Sequence, residues 1–196
     1  MKEAVLASRN AKKLAELQAV LDVLGFRLRL LSEFCDDAAD ETAPSFIENA
    51  LLKARHAARA SGLPAIADDS GLEVDALNGA PGVHSARYAG THGDDEGNNS
   101  KLLKALIGRP ESARGARFVC ALAYLRHKDD PVPVTAQGLW RGRILNAPRG
   151  RLGFGYDPLF YVPDHDKTSA ELEPGLKNRI SHRARAAAQL MSALRA

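Results

Sequence analysis

An α/β fold with a long central sheet is predicted for this 196-residue chain by three observations. Short segments of alternating apolar residues take turns along the chain with longer segments whose apolar residues recur at helical spacing. Hydrophobic residues make up 45% and charged residues 26%, which supplies a core and excludes a chain that is disordered throughout. No repeat, low-complexity tract or long linker interrupts the pattern, so residues 1–196 are expected to form one domain.

The elements follow in order. Residues 3–8 alternate as a short strand, and Lys12 to Leu24 carries apolar residues at 14, 17, 20, 21 and 24, a helical stripe closed by Gly25. Phe26 to Leu31 alternates again. Ser45 with Glu48 three residues later forms a capping box. The helix it opens presents Ile47, Ala50, Leu51, Ala54 and Ala58 on one face and stops at Gly62. Pro64 to Ala67 reads as a brief strand ended by Asp68-Asp69-Ser70-Gly71, and Leu72 to Leu77 as a second one before an Asn78 to Gly82 turn. A helix is expected over 94–107 and a strand pair over 116–126 and 132–145. A glycine-rich loop, Arg149 to Pro158, leads into a strand at 159–162, and Ser181 stands as the N-cap of a last helix over 182–195.

Charge and cysteine content limit the function classes. The net charge of +3 is too small to imply a nucleic-acid partner or a membrane surface. No apolar run reaches the eighteen residues of a membrane span, and the N-terminus is too short an apolar stretch for a signal peptide. Cys35 and Cys120 have no CxxC partner, which suits reduced thiols in a cytoplasmic protein. Six acids and no Lys or Arg lie between Leu31 and Ala50, whereas ten Lys or Arg face five acids from Arg141 onward. Acid-rich and base-rich segments in one molecule suit a divalent cation with a polyphosphate, although solvated faces would look the same.

Five segments could carry chemistry. Ser8-Arg9-Asn10-Ala11-Lys12-Lys13 runs from a strand into a helix N-terminus and offers backbone N–H groups, a hydroxyl, an amide and lysines to a phosphate, without Walker A spacing. It would also serve as a plain helix cap. Asp68 and Asp69, adjacent at a strand end, would repel in low dielectric unless a proton or cation joined them; hard oxygens suit Mg²⁺, and no zinc pattern occurs. Asn49, Lys53 and His56 share one helix face. In Gly153-Phe154-Gly155-Tyr156-Asp157, glycines let backbone approach a planar ligand while Phe154 stacks on it. Lys177, Arg179, His182 and Arg183 gather donors at the mouth of the last helix, where cations are electrostatically awkward without an acceptor-rich ligand.

Taken together these segments resemble the inosine triphosphate pyrophosphatase family of non-standard purine nucleoside triphosphate pyrophosphatases, its bacterial dITP/XTP branch in particular. The likeness rests on S-x-N-x-x-K at 8–13, F-I-E-N-A-L-L-K-A at 46–54, A-D-D-S-G-L at 67–72, G-A-P-G-V-H-S-A-R-Y at 79–88, F-G-Y-D-P at 154–158 and I-S-H-R at 180–183. His84 and Leu152 depart from the family pattern. The resemblance implies a single nucleotide pyrophosphatase domain of two lobes, with a long curved mixed β-sheet flanked by helices and a central cleft, assembled as a homodimer. It implies Mg²⁺-dependent hydrolysis of ITP, dITP and XTP to the monophosphate and pyrophosphate. By position, Ser8, Arg9, Asn10, Ala11, Lys12 and Lys13 would bind phosphates, and Glu41, Asp68 and Asp69 the metal, with Asp40 a rival to Glu41. Ser70, Phe154, Gly155, Tyr156, Asp157, Lys177, His182 and Arg183 would hold the nucleoside. Phosphoanhydride hydrolysis needs phosphate charge neutralised and a base for the attacking water, roles given to Lys53 and Asp69. A Maf-like pyrophosphatase with another base preference is the nearest rival. A nucleic-acid-binding protein is the remoter one, with no RRM, KH or zinc-finger pattern to support it.

Overall fold

The computed structural model describes residues 2–9 and 11–195. Seven strands form one mixed sheet in the order β2-β1-β3-β4-β5-β6-β7. They are β1 (Lys2–Leu6), β2 (Phe26–Leu30), β3 (Ala65–Val74), β4 (Gly115–Leu125), β5 (Val134–Ile144), β6 (Phe160–Val162) and β7 (Lys167–Thr168). β1 runs parallel to β2 and β3, whereas β6 is antiparallel to β5 and β7. The helices are α1 (Ala11–Leu21), α2 (Phe46–Ser61), α3 (Asp95–Ala105), α4 (Pro174–Ile180) and α5 (His182–Arg195). The expected α/β class holds. Among the described residues no helix is long and apolar enough to cross a membrane.

The chain divides into two compact units: residues 1–69, 120–138 and 182–196, and residues 70–119 and 139–181. In the first unit, Ala4 and Leu6 of β1, Phe26 and Leu28 of β2 and Ile66 of β3 share a core with Leu17 and Leu21 of α1 and Ala186 and Leu190 of α5. Side chains alternate across a sheet, so Val5 faces the other way, where α2 lies against β1 through its buried alanines 50, 54, 57 and 58. α2 begins and ends as the capping signals require: Ser45 accepts the Glu48 N–H, and Gly62 closes the helix at φ 70°. α1 is shorter than its apolar stripe, because residues 22–24 tighten into a 3₁₀ turn whose carbonyl at Asp22 accepts the Gly25 N–H. Gly138 on β5 admits α5 at close range; a Cβ there would lie 2.0 Å from the His182 carbonyl oxygen.

The second unit has its own core, in which Phe118, Trp140 and Phe160 meet with ring centroids 4.5 to 6.4 Å apart. Arg114 is buried there with its guanidinium donating to the Leu106, Ile144 and Leu145 carbonyls, so the charge is hydrogen-bonded although it carries no carboxylate partner among these. α3 starts at Asp94, whose side chain accepts the Gly97 N–H.

Two expectations are corrected. Asp68-Asp69-Ser70-Gly71 is not a turn between two strands; β3 runs unbroken through it for 10 residues. The two carboxylates consequently point to opposite faces of the sheet. α4 was not foreseen, since Pro174 at its first turn and a run of polar residues conceal a helix that lacks an apolar stripe.

Candidate active site

β3 distributes its aspartates by register. Ile66 faces α1 and α5, so Asp68, two residues on, does as well, while Asp69 turns toward α2. Asp68 is buried, and Lys13 of α1 pairs with its Oδ1. Arg183 Nε of α5 donates to its Oδ2 at 3.2 Å, and the Cys120 thiol of β4 does so at 3.6 Å. Burial alone would raise the Asp68 pKa, but Lys13, Arg183 and Lys53 outweigh it and hold the carboxyl well below the usual carboxylate range.

On the other face, Lys53 Nζ of α2 donates to Asp69 Oδ1 at 2.6 Å and to Glu41 Oε1 at 2.9 Å. Burial would lower the lysine's pKa, yet Asp69, Asp68 and Glu41 together raise it. Asp69 moves the opposite way from Asp68. Burial pushes its pKa up, Lys53 opposes this, and Glu41 and Asp68 add to the rise. Its second oxygen, Oδ2, is buried with no hydrogen-bond partner among the described residues. A carboxylate with an unused, desolvated oxygen and a raised proton affinity is what a general base or a cation ligand requires. Asn49, one turn before Lys53, is structural: its side chain closes both polar groups of Ala43 and so fixes the loop that brings Glu41 in. Asp40 is exposed and Glu41 is the acid that reaches the cluster.

In the second unit, the 153–157 loop wraps a different buried carboxylate. Asp157 accepts the Phe154 N–H at 2.9 Å and the Ser169 hydroxyl at 2.7 Å, and Lys177 pairs with it. A Cβ on Gly153 would lie 2.0 Å from Asp157 Oδ2, so only glycine fits. Lys177 Nζ also stands 5.3 Å from the centroid of the exposed Phe154 ring. Tyr156 belongs to the core; its hydroxyl donates to the Ser85 carbonyl at 2.9 Å, and burial holds its pKa above the ordinary value.

A model of the Ham1 family matches residues 4–193 of this sequence. The chain belongs to the Ham1 family. It is 57% identical over 194 residues to a dITP/XTP pyrophosphatase of Pseudomonas aeruginosa, covering 99% of this chain and 98% of that one. To a dITP/XTP pyrophosphatase of Vibrio cholerae it is 53% identical, covering 99% and 97%. The solved structure of a HAM1 protein from Coxiella burnetii, 50% identical, superposes with a TM-score of 0.93 over 99% of this chain and 98% of that chain.

Within this Ham1 chain, the predicted residues fall into three groups. Lys13, Asp68 and Arg183 meet on one face of β3, and Glu41, Lys53 and Asp69 on the other. Phe154, Asp157 and Lys177 meet in the second unit, with Gly155 and Tyr156 between them. Ser8 is half-buried after β1, Arg9 is exposed, Ala11 and Lys12 open α1, and Asn10 lies outside the described residues. Ser70 continues β3, and His182 is buried at the start of α5. Cys120 beside Asp68 and Ser169 beside Asp157 are not legible in the sequence, because nothing local to either residue signals its partner.

Proposed function

We propose that this protein hydrolyses non-standard purine nucleoside triphosphates, with ITP, dITP and XTP as substrates, to the monophosphate and pyrophosphate, clearing such nucleotides from the pool. The observation that carries the chemistry is Asp69, a buried carboxylate with one oxygen unpartnered, set against Lys53 and Glu41. The family membership and the names of the relatives supply the substrate class.

Mg²⁺ fits the donor set. Two hard carboxylates, Glu41 and Asp69, lie on either side of a single ammonium, so the spot already requires positive charge. Among the described residues no three acids, histidines or cysteines gather into a metal cage, and Mg²⁺ is commonly held by one or two carboxylates with water and substrate phosphates completing its shell. Asp68 was expected to share this duty. Both its oxygens are engaged by Lys13, Arg183 and Cys120, so our reading gives the cation to Glu41 and Asp69. Bound there, the ion would neutralise phosphate charge and polarise the phosphoryl oxygens.

The chain's own groups do the rest. Ser8 to Lys13 offer N–H groups and cations to the phosphate tail, and Lys53 adds charge. Asp69, with its proton affinity raised, takes the proton of the water that attacks the α-phosphorus, and pyrophosphate leaves. Phe154 stacks on the base, and Lys177 beside it offers a donor to the carbonyl oxygen that hypoxanthine and xanthine carry at position 6. Adenine has an amine there, which cannot accept a donor, and unmatched buried donors discriminate by about 10⁴ or more. Guanine shares the oxygen, so its exclusion falls to a closed wall that meets its 2-amino group. A homodimer is part of the same reading. The test is pyrophosphate release from ITP, XTP, ATP and GTP side by side, with and without Mg²⁺. ITP and XTP should far exceed ATP and GTP in kcat/KM, and only with the metal; equal kcat/KM for ATP and ITP would overturn the base selection, and preference for another base would favour the Maf-like alternative.

A further inference from the structure

The loop that carries Phe154 turns through two glycines in the left-handed region, Gly153 at φ 82° and Gly155 at φ 61°. Glycines give the peptide planes on both sides of the ring more freedom than any other residue would, and that freedom must be removed before Phe154 can present a fixed face. Asp157 fixes the plane before the ring, through the Phe154 N–H. The plane after it, and the next one beyond Gly155, are held from outside the loop.

Two side chains of α3 hold them, Asp95 the first and Asn99 the second. Asp95 Oδ2 accepts the Gly155 N–H at 2.7 Å, and Asn99 Nδ2 donates to the Gly155 carbonyl at 2.9 Å. Asp95 and Asn99 are four residues apart, hence neighbours on one helix face, and together they take both polar groups of a single residue. The amide of Asn99 leaves its own Oδ1 buried with no hydrogen-bond partner among the described residues. Turned over, it would set that oxygen against the Gly155 carbonyl. The observed orientation keeps the contact with the loop and strands a polar atom to do so. Neither contact is needed to seat α3. The helix is anchored by the buried Leu102 and by Asn98, which accepts the Ala89 N–H and donates to the Ala86 carbonyl.

We propose that Asp95 and Asn99 are positioning residues for base recognition, clamping Gly155 so that the Phe154 ring is set before the nucleotide arrives. The inference rests on the nucleoside-binding role given to Phe154 above. Preorganising a binding surface improves affinity by lowering the ordering cost of binding, without touching the chemical step. The signature is therefore a change in KM with kcat kept.

Steady-state kinetics on ITP and thermal unfolding of the full chain test it, with Asn99→Ala, Asn99→Asp, Asp95→Ala, Asp95→Asn and Phe154→Ala. Asn99→Ala and Asp95→Ala should each raise KM about 3–10-fold, the effect of one lost hydrogen bond, with kcat within about twofold and Tm within about 2 °C. Asp95→Asn keeps an oxygen for the Gly155 N–H and should restore most of the affinity, whereas Asn99→Asp, which faces an acid to a carbonyl, should be worse than Asn99→Ala. If Phe154→Ala raises KM but neither alanine variant in α3 does, or if those variants lower Tm with KM unchanged, the clamp is overturned. An unchanged KM in Phe154→Ala would instead remove the nucleoside role itself.

Discussion

Asp157 in one unit and Asp69 in the other are both buried carboxylates with a lysine at hand, and they are solvated by the protein in opposite ways. Asp157 has donors on both oxygens, from a backbone N–H, a hydroxyl and an ammonium, and a glycine is required beside it. Asp69 has Lys53 on one oxygen, and the other is left without a partner among the described residues. A saturated buried carboxylate has given its hydrogen-bonding capacity to the frame; an unsaturated one keeps it for a ligand. Asp68 sorts with Asp157, although it is the immediate neighbour of Asp69. Its three partners come from α1, α5 and β4, so it ties those elements to β3.

That contrast can be broken most forcefully at Asp68. In Asp68→Ala the buried Arg183 and the half-buried Lys13 lose their common carboxylate, and removing one partner of a buried ion pair costs about 3–5 kcal/mol. Chemical denaturation should show a loss of that order at neutral pH. The loss should shrink in acid, because a carboxyl whose folded pKa is depressed contributes stability above its unfolded value, near 3.9, and gives it up as pH falls through the folded value. A loss under about 1 kcal/mol would mean that Asp68 is not part of the frame.

The effect at Asp157 is expected to be smaller. Asp157→Asn exchanges one acceptor oxygen for a donor that must face Lys177 or the Phe154 N–H, or else the Ser169 hydroxyl. We expect a stability loss of about 1–3 kcal/mol and a raised KM for ITP, with kcat little changed, since the loop that carries Phe154 loosens. Unchanged stability and KM would show that the three donors do not depend on the charge.

How much of this was legible in the sequence differs from segment to segment for physical reasons. The ends of α2 were readable, because Ser45 and Gly62 act on backbone groups a few residues away, whereas its buried set takes in Asn49 and Ala57 and leaves Ile47 and Leu51 half-buried. Lys53 could be chosen from its place on that helix face. β3 was misread, because Asp-Asp-Ser-Gly has the chemistry of a turn, and the groups that let a strand carry it inside the protein, Lys13 and Arg183, are 55 and 115 residues distant. The repulsion between neighbouring acids is reduced by that correction to a minor contribution at Asp69: alternation puts them on opposite faces, each with its own cation. The family motifs single out the site residues as a set but give no hint that Asp68 and Asp157 are saturated while Asp69 is not. Such saturation depends on Cys120, Ser169 and Arg183, contacts that only the tertiary fold creates.

Asp69→Asn puts the central distinction to its most direct test, with kcat at saturating Mg²⁺ and Tm measured on the same preparation. The substitution is nearly isosteric and removes the base and a cation ligand, so kcat should fall by about 10²-fold or more. Stability should move the other way. Burial raises the Asp69 pKa, so the folded chain takes up a proton more readily there than the unfolded one; the ionised group lowers stability as pH rises through that window, and a neutral amide is spared this. Tm at neutral pH should equal or exceed that of the unsubstituted protein, with turnover nearly gone. A clear drop in Tm with kcat retained would contradict this, placing Asp69 in the frame and the base elsewhere.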